Sequence, residues 1–251
     1  MPPVPHPWFP LRQPNPHARL RVFGFPYAGG GASIYNGWTT ALPAGIEWVS
    51  VQLPGRERRI LEKPFQQLPP LLDALEEALA PLLDKPFVFF GYSMGTRIAL
   101  GLTQRWQARG APLPLGMVMA AAGAPHQPRE SREALNDAEF IDLLRKYEGT
   151  PKEIFAHKEL LDMVLPTLRA DFAIADAVMP ALPVRCPISV YGGLEDPYVT
   201  LSMLEHWSAL TTGDFRTRKF PGKHFFLRTA REPLLRALRE DLTRWAPDLG
   251  P

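Results

Sequence analysis

The sequence has little of three things: cysteine, net charge and long apolar runs. Cys186 is the only cysteine among 251 residues, so the chain can form neither an internal disulfide nor a cysteine-based metal site. It stands just before an apolar run, which is typical of a packed thiol. A net charge of +2 is too small to indicate nucleic-acid binding, and no DNA- or RNA-binding motif is present.

No apolar stretch is long enough to span a bilayer, and no basic segment followed by an apolar one marks a signal peptide. We therefore expect a cytoplasmic protein without membrane contact. Frequent prolines predict that residues 1–19 form an irregular arm on a single domain, residues 20–251. His6 and His17 in this arm are far from other metal-ligand side chains, and we predict no metal site.

Residues 87–109 predict a nucleophile. An apolar run, 87–90, is typical of a buried strand, Gly91-Tyr92-Ser93-Met94-Gly95 follows as a sharp turn, and residues 96–109 have helical spacing. A serine in such a turn has a strained backbone, so the residues two before and two after it must be glycine. Its hydroxyl would lie at a helix N-terminus, which favours developing negative charge. The pentapeptide alone also fits an ordinary turn serine.

Strand and helix patterns alternate through most of the chain, which is typical of a parallel α/β sheet. Further strands are predicted at 20–25, 48–53, 115–122 (inside the sheet), 187–193 and 215–220 (at an edge), and further helices at 68–83, 199–210 and 233–245.

The alternation stops between residues 124 and 182. Two helical segments are predicted there, one with a capped start at 136–139 and one over 160–178. This insertion fits a second subdomain, a dimer interface or a lid over a hydrophobic channel. Its position after the strand next to Ser93 favours the lid.

Two loops after strands suggest further roles. Residues 26–33 hold three glycines, and Ser33 is placed to cap the next helix. This loop fits a tight turn or an oxyanion-hole loop, whereas the spacing of a phosphate-binding loop is absent. The loop after the next strand carries Arg56, Arg58 and Arg59. Such a pattern is usually a solvated loop, or else a docking surface for an acidic partner or a phosphate.

Asp196 and His224 each follow a later predicted strand. The carboxyl ends of parallel strands meet at one edge of the sheet, where catalytic groups gather. The order Ser93, Asp196, His224 is that of an α/β-hydrolase triad. We therefore predict an α/β-hydrolase fold, with a mostly parallel sheet and helices on both faces, and His224 as general base.

Six motifs, in order over residues 20–245, resemble those of type II thioesterases, the stand-alone enzymes that accompany polyketide and non-ribosomal peptide synthetases. They are Phe25-Pro26-Tyr27-Ala28-Gly29-Gly30-Gly31-Ala32-Ser33, Leu53-Pro54-Gly55-Arg56, Gly91-Tyr92-Ser93-Met94-Gly95, Leu168-Arg169-Ala170-Asp171-Phe172, Gly192-Gly193 with Asp196-Pro197, and Gly222 with His224-Phe225-Phe226. The resemblance implies Ser93 as nucleophile, His224 as base and Asp196 as its orienter. It also implies an oxyanion hole made by the backbone N–H groups of Ala28 and Met94.

The resemblance further implies a lid at residues 124–182 beside the acyl site. The expected substrates are misprimed or stalled acyl and aminoacyl groups on the phosphopantetheine arm of acyl or peptidyl carrier proteins, cleaved without a metal or redox cofactor. Arg56, Arg58 and Arg59 are candidates for contacting an acidic carrier. Three alternatives stay open: a general carboxylesterase or lipase, a chain-releasing thioesterase, and a non-catalytic carrier-binding protein.

Overall fold

A six-stranded parallel β-sheet forms the centre of the computed structural model, which describes residues 6–127 and 132–249. Its strands are β1 (Leu20–Phe25), β2 (Ile46–Ser50), β3 (Phe87–Tyr92), β4 (Met117–Ala120), β5 (Ile188–Gly193) and β6 (Phe215–Phe220). They lie in the order β2-β1-β3-β4-β5-β6, and every neighbouring pair is parallel. The predicted α/β fold is confirmed, with β6 at an edge and β4 inside the sheet.

Strand β2 lies at residues 46–50, whereas the sequence predicted 48–53. The strand begins earlier than predicted because Glu47, a charged residue inside it, interrupts the apolar pattern. The Glu47 side chain is only 1% exposed and forms ion pairs of 2.8 Å with Arg21 and 2.7 Å with Arg12. A buried carboxylate is stable when paired, so it can occupy a strand position that an apolar pattern misses.

Helices cover both faces of the sheet. They are α1 (Trp38–Ala41), α2 (Leu68–Leu79), α3 (Gly95–Ala108), α4 (Asp137–Tyr147), α5 (Lys152–Ala156), α6 (Lys158–Asp176), α7 (Leu201–Glu205), α8 (Phe226–Thr229) and α9 (Arg231–Trp245). Because successive strand side chains point to opposite faces, Phe89 packs in the core on the α2 and α3 side, and Phe90 packs in the core on the α1 and α9 side.

Two predicted helices are shorter than expected. The helix predicted at 68–83 ends at Leu79 and is followed by a 3₁₀ turn at Ala80–Leu82, since Pro81 has no N–H to continue the α-helical pattern. The helix predicted at 199–210 consists of α7 followed by a 3₁₀ turn at His206–Leu210.

Helices α4, α5 and α6 occupy the predicted insertion, and the described residues of 124–182 contain no strand. The capped start is confirmed: the Asn136 side chain accepts a 3.1 Å bond from the Glu139 N–H, and the Glu139 side chain accepts a 2.9 Å bond from the Asn136 N–H. Helix α5 was not predicted because its five residues are too few to show a period. The insertion has its own buried cluster, Phe140, Leu144, Leu168 and Phe172. Residues 128–131 of the predicted lid lie outside the described residues.

The proline-rich start packs on the sheet domain through two aromatic side chains. Residues 6–19 contain neither helix nor strand. Phe9 is buried in the main core, and Trp8 stacks on Phe65 with ring centroids 6.3 Å apart. The remaining residues of the predicted arm, 1–5, lie outside the described residues.

Cys186 is buried just before β5, as expected of a packed thiol. Burial raises the pKa of its thiol to about 12.

Candidate active site

Ser93 lies in a strained turn between β3 and α3. Its φ of +51° is in the left-handed region, and its N–H donates a 2.7 Å bond to the Ala120 carbonyl oxygen. A Cβ at Gly91 would lie 2.6 Å from the Gly95 carbonyl oxygen, and a Cβ at Gly95 would lie 2.3 Å from the Phe25 carbonyl oxygen. The turn therefore requires glycine at both positions, as the sequence predicts.

His224 and Asp196 form a hydrogen-bonded series with Ser93. His224 Nδ1 lies 2.8 Å from Asp196 Oδ2, and His224 Nε2 lies 3.2 Å from Ser93 Oγ. The other Asp196 oxygen, Oδ1, accepts a 2.9 Å hydrogen bond from the Tyr198 N–H. With the Nδ1 proton donated to Asp196, Nε2 of the neutral imidazole is free to accept the Ser93 proton. The neighbouring carboxylate, Glu195, is exposed.

Tyr92 holds the histidine loop in place. Its buried hydroxyl donates a 2.7 Å bond to the His224 carbonyl oxygen and accepts a 3.2 Å bond from the Leu227 N–H. Burial raises the pKa of Tyr92 well above its usual value, so the hydroxyl stays protonated and keeps donating. This role was not predicted from the sequence, although the motif has a tyrosine directly before the proposed nucleophile.

The glycine-rich loop lies beside the serine turn because β1 and β3 are neighbours, with Phe25 in register with Gly91. Strand order reverses between β1 and β3, and in open α/β sheets such a point forms a ligand-binding crevice. Within the described part of the chain, neither the Ala28 N–H nor the Met94 N–H donates a hydrogen bond to the protein.

Ser33 does not cap the next helix. Helix α1 begins after Gly37 and has no side-chain cap. Ser33 lies instead in a 3₁₀ turn, and its hydroxyl and N–H both donate to Glu57 Oε1. The loop is therefore closed by a carboxylate from the next loop, a long-range contact that spacing does not show.

One cavity adjoins Ser93, and a second cavity shares part of its lining with the first. The inner one, of about 40 Å³, is lined by Ser93, Met94, His224, Tyr147 and Phe172 among others. A cavity of ~150 Å³ can hold benzene, so this space is too small for a chain of several carbons. The outer cavity, of about 330 Å³, lies between the glycine-rich loop and the insertion, and residues such as Ala28 and Leu168 line both cavities.

The insertion touches the loops that carry Asp196 and His224. Tyr147, the last residue of α4, stacks on Tyr198 with ring centroids 4.0 Å apart and planes at 10°. The same ring meets the His224 imidazole edge-on at 5.4 Å. Tyr147 therefore forms part of the inner wall of the site.

The structure does not support Arg56 and Arg59 as docking residues. Arg56 is 5% exposed and makes a two-point ion pair with Asp171 of α6. Arg59 is 9% exposed, pairs with Glu62 at 2.6 Å and lies over the Trp8 ring. Their charges are already paired inside the protein, with partners that the loop pattern does not show. Arg58 is exposed.

Two features are absent from the described residues, 6–127 and 132–249. Over these ranges no group of three or more His, Cys, Asp or Glu side chains is placed to hold a metal ion. Over the same part of the chain, no helix is both long enough and apolar enough to cross a membrane.

Comparison with known proteins identifies the family. A family model described as a thioesterase domain matches residues 20–242. The protein named linear gramicidin dehydrogenase LgrE, from Brevibacillus parabrevis, is 38% identical, and the alignment covers 90% of this chain and 88% of LgrE.

Two solved structures are similar in sequence and fold. The structure of RedJ, the thioesterase of the prodiginine pathway in Streptomyces coelicolor, is 35% identical with a TM-score of 0.82 over 90% of this chain and 86% of RedJ. That of BorB, the type II thioesterase of the borrelidin biosynthetic cluster, is 31% identical with a TM-score of 0.77 over 90% of this chain and 91% of BorB. The chain belongs to the thioesterase domain family, is a hydrolase that acts on thioesters, and is similar to the type II thioesterases of biosynthetic clusters.

Proposed function

We propose that this chain hydrolyses acyl and aminoacyl thioesters on the phosphopantetheine arm of acyl or peptidyl carrier proteins, and so removes misprimed or stalled groups from synthetases. One observation carries the proposal: Ser93 and His224, hydrogen-bonded in series with Asp196, line a cavity that adjoins a larger one. The similarity to RedJ and BorB, both named for biosynthetic pathways or clusters, supports the carrier-bound substrate.

In the proposed mechanism, Ser93 Oγ attacks the thioester carbonyl carbon while His224 Nε2 takes its proton. Asp196 orients the imidazole and stabilises the imidazolium. The tetrahedral intermediate collapses to an acyl-serine as the thiolate leaves and receives the proton from His224. A water deprotonated by His224 then attacks the acyl-serine. The second tetrahedral intermediate breaks its bond to Ser93 Oγ, which takes the proton back from His224 as the acid is released. These steps use protein groups and water.

The unpaired N–H groups of Ala28 and Met94 are proposed to bind the oxyanion of both tetrahedral intermediates. Both residues line the inner cavity beside Ser93, and both N–H groups lack protein acceptors in the described residues. Donors fixed in advance around a developing charge are typically the largest single contribution to acyl-transfer catalysis.

The two cavities fit two parts of the substrate. The inner cavity adjoins the nucleophile and is proposed to receive the acyl group, with α4 to α6 as a lid over it. The outer cavity passes the glycine-rich loop and fits the narrow pantetheine arm. At about 40 Å³, the inner cavity admits a longer acyl group only if its wall moves.

Docking is assigned to arginines that are exposed. Arg58 is one, and Arg228 is a second that lines the outer cavity, its guanidinium 5.7 Å from the Tyr27 ring centroid. Complementary charge raises the encounter rate with an acidic carrier and weakens with salt.

The name of LgrE includes a dehydrogenase activity, but the loop after β1 in this chain does not resemble a dinucleotide-binding loop. Dinucleotide-binding loops offer free backbone N–H groups to a diphosphate. Here the Gly29 N–H donates to Asp171 and the Ser33 N–H donates to Glu57. Two carboxylates therefore occupy two of the backbone donors of this loop.

The proposal is tested by loading carrier proteins with different acyl groups and following their release by intact mass. Wild type should release the acids, and Ser93→Ala should lose on the order of 10⁴-fold in rate with an unchanged circular dichroism spectrum. A Ser93→Ala variant with a tenth of wild-type activity would mean that another residue is the nucleophile.

A second measurement separates the thioesterase from a general esterase. One acyl group is compared on a carrier, on the short pantetheine thiol and on CoA, at low and high salt. The carrier should give the highest kcat/KM at low salt, and its advantage should shrink in the double variant R58Q/R228Q but not in the edge-strand control R216Q. Equal efficiency on all three thiols at both salt concentrations would favour the esterase.

A further inference from the structure

Asp171 connects the helical insertion to the glycine-rich loop. It lies in α6 and is 1% exposed. Its Oδ2 accepts a 2.6 Å bond from the Gly29 N–H and pairs with Nη1 of Arg56. Its Oδ1 accepts a 2.8 Å bond from Nη2 of the same guanidinium. The proposed mechanism leaves this buried cluster without a role, although both side chains belong to the family motifs.

The Gly29 N–H is one peptide away from the Ala28 N–H. Gly30 N donates to the Tyr27 carbonyl oxygen at 2.9 Å, and Gly29 has φ +79°, as at the third position of a type II turn. On its other side the loop meets α6 again, because a Cβ at Gly29 would lie 2.6 Å from Leu168 Cδ2. Helix α6 therefore fixes the peptide that joins Ala28 to Gly29, which follows directly on the peptide that carries the Ala28 N–H.

Arg56 neutralises the charge of Asp171 next to the glycine-rich loop. Its guanidinium also donates to the Pro54 carbonyl oxygen at 2.9 Å and to the Gly30 carbonyl oxygen at 3.4 Å. A lone buried carboxylate near the oxyanion hole would oppose the negative charge that develops there. Paired with Arg56, Asp171 accepts the hydrogen bond without adding net charge.

We infer that Asp171 is a positioning residue that holds the Ala28 N–H in the oxyanion hole, and that Arg56 neutralises its charge. The inference rests on the proposed function, because it needs Ala28 to act as an oxyanion donor. Helix α6 would then support the oxyanion hole as well as form part of the proposed lid.

Two double variants isolate the hydrogen bond. R56M/D171N and R56M/D171L both remove the ion pair, and Asn and Leu have the same number of side-chain heavy atoms with the same branching at Cγ. Only Asn keeps an oxygen for the Gly29 N–H. Replacing a buried ion pair by neutral groups is often tolerated, so we expect similar urea unfolding curves.

The expected difference lies in turnover. R56M/D171L should have a kcat about 10- to 100-fold below that of R56M/D171N at similar KM, since loss of one oxyanion donor typically costs ~10²–10³-fold. Affinity for an alkyl boronic acid, which forms a tetrahedral adduct with the serine, should fall by the same factor. Arg56→Met alone should be less active than R56M/D171N, because it leaves the carboxylate unpaired.

Equal kcat and equal boronic-acid affinity in the two double variants, with Ser93→Ala inactive, would overturn the role of Asp171 and leave the proposed function intact. Full activity of Ser93→Ala would overturn both. If R56M/D171L does not fold, R56M/D171A decides: the Gly29 amide proton, left without its acceptor, should move upfield in the NMR spectrum relative to R56M/D171N, together with a fall in kcat. A shifted amide with wild-type kcat would overturn the inference.

Discussion

The hydroxyl of Tyr92 donates a 2.7 Å hydrogen bond to the carbonyl oxygen of His224. The residue before the proposed nucleophile thus holds the backbone of the proposed base, across 132 positions of sequence. The distance between Ser93 and His224 therefore depends on a third side chain that touches neither reacting atom.

Tyr92→Phe should lower kcat about tenfold and destabilise the fold, because a buried carbonyl left without a donor costs ~1–3 kcal/mol. The matched control is Tyr191→Phe, which removes another buried hydroxyl, bonded to Asp241 at 2.7 Å. It should lower the unfolding midpoint in urea with little change in kcat. Equal kcat losses in both variants would show that Tyr92 acts through stability alone.

Asp196→Asn should lower kcat by several orders of magnitude, since the imidazole loses the partner that fixes its tautomer. Glu195→Gln changes an exposed neighbour and should leave kcat within about twofold of wild type. Steady-state kinetics with one thioester compares them directly. The reverse ranking would assign the orienting role to Glu195.

Tyr147→Ala should enlarge the inner cavity, because this ring forms part of its wall. We expect the ratio of kcat/KM for a longer acyl group over acetyl to rise about tenfold, in line with the ~1–3 kcal/mol that one methylene discriminates. Tyr147→Phe keeps the ring and loses only the 3.0 Å bond from Arg132, so its ratio should match wild type. An unchanged ratio in Tyr147→Ala would place the acyl group elsewhere.

Alkaline pH should destabilise the fold. Burial raises the pKa of Tyr92 and Tyr191 well above the usual value, and that of Cys186 to about 12. The unfolded chain ionises first, at about 8.5 for Cys and about 10 for Tyr. The contribution is therefore complete below about pH 8.5 and is lost as pH rises.

Urea unfolding at pH 8, 9.5 and 10.5 would measure this loss. Tyr191→Phe removes one tyrosine hydroxyl that ionises only in the unfolded chain, so it should reduce the slope above pH ~10 by up to about 1.4 kcal/mol per pH unit. A free energy of unfolding that stays constant to pH 10.5 would contradict the prediction.

The sequence predicted what is local or periodic. Three features each follow from a short pattern with one steric or hydrogen-bonding cause. They are the strand before Ser93, the glycines beside Ser93, and the capped helix start at Asn136 and Glu139. The order of Ser93, Asp196 and His224 was informative because parallel strands end at the same edge of the sheet. The structure brings these three side chains together.

Long-range polar contacts could not be predicted. Arg56 lies 115 positions from Asp171, so its loop looks solvated although its charge is buried. Glu47 broke an apolar pattern only because Arg12 and Arg21 cover it. In each case a partner distant in sequence stabilises the buried charge. The spacing of residues along the chain does not reveal that partner.

The burial of Cys186 matters for the reaction that this protein is proposed to catalyse. Each turnover would release a free pantetheine thiol beside the protein, under conditions in which an exposed cysteine thiolate could capture an acyl group or form a mixed disulfide. The chain's only sulfhydryl is buried and protonated, with a pKa of about 12, and reactivity resides in the thiolate. The enzyme should therefore work among thioesters and disulfides without being acylated or thiolated at sulfur.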